Sequence, residues 1–144
     1  MSLVSDCHGV IAVKHRLEDI FLNTDYKPEE TAVIILGDAS VNFWLTSRER
    51  KEKKKLGKFG TYIYCVRGNH EERPENISTA SLWYDPEVCE LIMREPKYPN
   101  IRYLLDGKTY KFGDHFALVL GGAYSVDKHW RLETGKKWFP NEQL

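Results

Sequence analysis

Gly68-Asn69-His70-Glu71 follows directly on the apolar run Tyr62-Ile63-Tyr64-Cys65-Val66. An amide, an imidazole and a carboxylate placed after a glycine at the end of a predicted buried strand suit a metal or catalytic site better than a plain turn. The same plan occurs twice upstream, in Val4-Ser5-Asp6-Cys7-His8-Gly9 and in Val33-Ile34-Ile35-Leu36-Gly37-Asp38. Each residue taken singly has a simpler explanation. Asp6 can cap the helix that follows it, His8 can be polar surface, and Asp38 and Asn69 after glycine can be turn formers. Their recurrence at successive strand ends weighs against all of these together.

The donor types define the chemistry. Asp6 and His8 offer a carboxylate and an imidazole from one loop. Asp38 offers a carboxylate whose two oxygens can bind different cations. Asn69 supplies a carbonyl oxygen that completes a coordination shell without adding charge. Such an oxygen-rich set with some imidazole suits manganese, iron, zinc or magnesium rather than a thiolate-bound structural zinc. Two such ions ~3.5–4 Å apart hold a phosphoryl group, activate water and stabilise the attacking and leaving oxygens. His70, next to a ligand, is placed to contact phosphate or to protonate a departing alkoxide.

These residues need strands that end together. A short first strand holds Leu3-Val4. Val10, Val13, Leu17, Ile20 and Phe21 recur at spacings of three and four, the pattern of an amphipathic helix. Thr31–Leu36 and Thr61–Val66 read as strands, the former covered on both faces because its apolar residues run nearly without interruption. If the first three strands are parallel neighbours, their carboxyl ends form one edge, where open α/β sheets bind ligands. Between the second and third strands, residues 48–58 hold seven basic and two acidic side chains and are expected to form a solvated helix face. Residues 71–81 read as a surface loop and 86–93 as a short helix with Pro86 in its first turn. Ile101–Leu104, Lys108–Phe112 and Phe116–Leu120 read as strands, with turns at Asp106-Gly107 and Gly113-Asp114.

The chain of 144 residues is expected to form one domain spanning 1–144, with a real core. Lys plus Arg and Asp plus Glu are 21 each, so no overall field points to nucleic acid or to a membrane surface. No apolar stretch approaches the ~20 residues of a membrane span. Cys7, Cys65 and Cys89 lack the spacing of a disulfide framework or zinc knuckle. With Met1-Ser2-Leu3 leading almost directly into the first motif, a reducing cytoplasm is expected.

Asp6-Cys7-His8, Gly37-Asp38 and Gly68-Asn69-His70-Glu71 resemble, in order and spacing, the D-x-H, G-D and G-N-H-[DE] blocks of the calcineurin-like metallophosphoesterases. Gly121-Gly122-Ala123-Tyr124-Ser125-Val126-Asp127-Lys128 and the Trp138-Phe139-Pro140-x-Glu142 tail resemble the bacterial and phage-type branch. The resemblance implies an α/β fold, a four-layer α/β-β/α sandwich of two mixed sheets. It also implies a centre of two divalent metal ions, whose bridging water attacks phosphorus without a covalent enzyme intermediate. By position, Asp6 and His8 resemble ligands of the first metal, Asp38 the bridging ligand and Asn69 a ligand of the second. His70 resembles the histidine that assists the leaving group. The family pattern continues with further histidines that this chain does not match, and neither His115 nor His129 takes a ligand role. The expectation is therefore the N-terminal two-thirds of the pattern, with a sheet incomplete at its C-terminal side. The implied substrate is a phosphate ester, with nucleic acid entering only as a substrate. A catalytically inactive phosphoesterase-like binding module is the alternative.

Overall fold

The computed structural model describes residues 2–5, 10–43 and 45–139, with side chains omitted for 2–5 and 10–12. Strand β1 (Ser2–Ser5) is followed by helix α1 (Val10–Asn23), strand β2 (Ala32–Leu36), helix α2 (Ser47–Leu56) and strand β3 (Tyr62–Val66). Then come β4 (Ser81–Asp85), β5 (Glu90–Arg94), β6 (Ile101–Tyr103), β7 (Thr109–Phe112), β8 (His115–Leu118) and helix α3 (Lys128–Glu133).

Six strands form one mixed sheet in the order β1-β2-β3-β6-β5-β4. β1, β2, β3 and β6 run parallel, and β5 and β4 run antiparallel to their neighbours. The pairings Ser5↔Leu36↔Val66 bring the first three strands to a common carboxyl edge, as expected. β7 and β8 form a second sheet, which among the described residues is purely antiparallel.

The strand sequences explain the layering. Val33, Ile35, Ile63 and Cys65 point to one face, where they pack with Val13 and Leu17 of α1 and Leu56 of α2. The intervening Ile34 and Tyr64 point to the other face and pack with Tyr110 and Val119 of the small-sheet hairpin. Burial of alternate residues on both faces is why β2 reads as an unbroken apolar run. The Tyr110 hydroxyl joins the layers: it accepts from the Leu105 amide at 2.7 Å and donates to the Leu91 carbonyl at 2.9 Å. Near the C-terminal end of the described chain, Phe139 is buried and meets Phe43 edge-on at 5.6 Å.

The structure corrects two expectations of element and surface. Residues 86–93 are not a helix; they are the turn and second strand of a β4–β5 hairpin pairing Asp85 with Glu90. The spacing of Val88, Leu91 and Ile92 imitates a helical face, but cross-strand packing decides the outcome. Asp85, fully buried, binds Arg102 and the Tyr64 hydroxyl, and its second oxygen accepts from the Glu87 amide to start the turn. The α2 charge run is not wholly solvated either. Lys53 is buried and contacts Glu95 and Asn42, while Glu49 caps the amides of Phe43 and Leu45.

Candidate metal centre and its cavity

The loops after β2 and β3 lie against each other. Gly37 donates its amide to the Val66 carbonyl at 3.2 Å and holds φ at +85°, a left-handed conformation open to glycine. Asp38 also adopts positive φ, at +47°, which is uncommon outside glycine but best tolerated by Asp and Asn. A Cβ at Gly68 would stand 2.0 Å from Asp38 Oδ1 and 2.2 Å from the Asp38 nitrogen. Glycine is therefore required at position 68 for the two loops to meet. The His70 amide then donates to Asp38 Oδ1 at 3.0 Å.

Asp38, Asn69 and His70 line one cavity of about 520 Å³. All three are half-buried. Asn69 donates through its Nδ2 to Ser125 Oγ at 2.8 Å. Apart from Arg67, the rest of the wall is apolar, aromatic or glycine, including Leu36, Val66, Leu120 and Tyr124. Of the residues expected at the site, the structure brings these three together. Asp6 and His8 lie outside the described residues, and so does Cys7. Among the described residues no three of His, Cys, Asp and Glu cluster as a metal site. His115 is exposed on β8 and His129 is exposed on α3, and neither lines this cavity.

Glu71, which the sequence offers as the carboxylate of the 68–71 motif, is a supporting group here, together with Arg67 and Ser125, which the sequence alone did not single out. Glu71 is 4% exposed, and its carboxylate accepts from the Gly68 amide at 3.2 Å. Burial pushes it up to about 7; the Gly68 amide opposes that rise, the nearby Asp38 charge adds to it, and the Ser40 and Val41 amides oppose it. Glu71 thus holds the loop after β3 through the Gly68 amide, close to the Asp38 carboxylate. Buried Arg67 donates to Asp106 Oδ2 at 3.1 Å and to the Gly121 carbonyl at 3.0 Å. The only local hint of Arg67 was a cation immediately after an apolar strand. Ser125 had no local signal beyond its place in the Gly-Gly-Ala-Tyr-Ser run.

Comparison with known proteins gives one match. The calcineurin-like phosphoesterase family covers residues 3–143. No curated protein and no solved structure matches the chain. Among the described residues no helix is long and apolar enough to cross a membrane.

Proposed function

Since the chain belongs to the calcineurin-like phosphoesterases, we propose that it hydrolyses phosphate esters using two divalent metal ions. The observation that supports this most directly is the convergence of Asp38, Asn69 and His70, from two strand ends, on a single cavity. The donor set fits a hard divalent cation. Asp38 offers a carboxylate and Asn69 an amide oxygen, its nitrogen being engaged by Ser125. Asp38 would bridge the ions and Asn69 would hold the second. Asp6 and His8, on sequence grounds alone, would hold the first. Manganese, iron, zinc and magnesium all suit these donors.

Bound ions would supply an activated water and neutralise charge on the phosphoryl oxygens. The chain's own residues do the rest. The apolar wall of Leu36, Leu120 and Tyr124 limits the polar contacts available to the ester's leaving group. His70 donates a proton to the departing oxygen. A reducing compartment such as the cytoplasm suits a chain whose three cysteines lack the spacing of a disulfide framework.

Manganese titration by calorimetry, with hydrolysis of 4-nitrophenyl phosphate and an alkyl phosphate, tests the reading. Two ions per chain and hydrolysis of the esters are expected, with Asp38→Asn weakening both. His70→Gln should lower kcat by roughly 10²-fold or more for the alkyl ester, whose leaving oxygen needs a proton. It should matter less for nitrophenolate, a stable anion. Absence of both metal binding and hydrolysis in the wild type would overturn the proposal, and metal binding without turnover would point to the binding module.

A further inference from the structure

We infer that Ser125 is a positioning residue that, by accepting from Asn69 Nδ2, holds the amide so that its oxygen is left for the metal. The inference rests on the metal-centre reading above. An asparagine amide presents an oxygen and an NH₂ group of nearly equal shape, and only its partners decide which way it points. A cation accepts the oxygen and repels the NH₂. The nitrogen must therefore find an acceptor elsewhere, and the 3%-exposed Ser125 hydroxyl supplies it at 2.8 Å, from 56 residues further along the chain.

The hydroxyl is held on a stapled segment. Gly122 donates its amide to the Arg67 carbonyl at 2.8 Å. The Arg67 guanidinium binds the Gly121 carbonyl, and Gly121 donates its amide to Asp106 Oδ1 at 2.7 Å. Arg67 immediately precedes Gly68-Asn69 in the chain. The same stretch of backbone thus carries the ligand and anchors the segment that orients it. Without the Ser125 acceptor, the Asn69 NH₂ would be left in a half-buried pocket with its best partner gone, and the oxygen would lose its fixed direction.

The test is manganese titration of the full chain in two backgrounds. Ser125→Ala is expected to weaken manganese binding about 10-fold or more, the range found when groups that orient a metal ligand are removed. In the Asn69→Asp background either carboxylate oxygen can face the cation, so adding Ser125→Ala should cost less than it does beside asparagine. A loss clearly larger in the asparagine background supports the inference. Unchanged affinity, an equal loss in both backgrounds, or a loss of melting temperature alone would overturn it while leaving the metal centre standing. Failure of the wild type to bind manganese would instead overturn the underlying functional reading. If Ser125→Ala does not fold, Ser125→Cys, similar in shape and a weaker acceptor, takes its place in the same comparison.

Discussion

At the scale of single residues, the candidate site depends on how closely two backbones approach. Gly68 leaves space for the Asp38 carboxylate, and Asp38 accepts positive φ to reach it. The buried Glu71 carboxylate accepts from the Gly68 amide and so helps to fix the loop after β3. This makes Gly68→Ala a sensitive probe. The added methyl meets Asp38 at its carboxylate and backbone nitrogen, neither of which can yield without moving the loop. The variant should lose about 1–3 kcal/mol, the usual cost of overpacking, together with most of its manganese affinity. Chemical denaturation and calorimetry measure the two effects. Wild-type stability and affinity would show that the loops are not in contact as described.

Among the secondary elements, the surprise is how many buried charges join them. Lys53 of α2 reaches Glu95, just after β5, whose carboxylate also meets Thr79 and the Tyr103 hydroxyl. Asp85 of β4 meets Arg102 of β6. Burial alone would raise Glu95, but the Lys53, Thr79 and Tyr103 partners outweigh it and hold the group below its ordinary value. The sign of the linkage follows. A depressed acid stabilises the fold above the ordinary glutamate range near 4.5, and that contribution is lost as pH falls through the folded value. Melting followed from pH 7 downward should show a loss below that range that Glu95→Gln largely lacks. Lys53→Met should cost about 3–5 kcal/mol at neutral pH, because it leaves a buried carboxylate without its cation. A near-neutral result would mean that the pair is solvated in solution.

For the molecule as a whole, the two sheets share a core between them, and among the described residues β8 of the small sheet pairs with β7 alone. Val119 donates its amide to the Lys108 carbonyl at 2.9 Å, and by antiparallel alternation the backbone groups of Phe116 and Leu118 turn away from β7. Their side chains are 73% and 63% exposed, and no charge or proline interrupts His115–Leu118. Such an edge favours pairing with another strand. Light scattering of the wild type should therefore rise with concentration, and Leu118→Lys should suppress the rise; a wild type monomeric at all concentrations would refute the idea. The sequence by itself determined the first three strands, their shared edge and the Asp38, Asn69 and His70 set, because a two-faced apolar run and the polar turn after it are contiguous and so locally readable. The roles of Asp6 and His8 rest on the sequence alone. Only the tertiary structure decided the Asn69–Ser125, Arg67–Asp106, Lys53–Glu95 and Arg102–Asp85 partnerships and the β4–β5 hairpin. Each of these pairs groups separated by many residues, and a buried charge in sequence resembles a solvated one until its partner arrives.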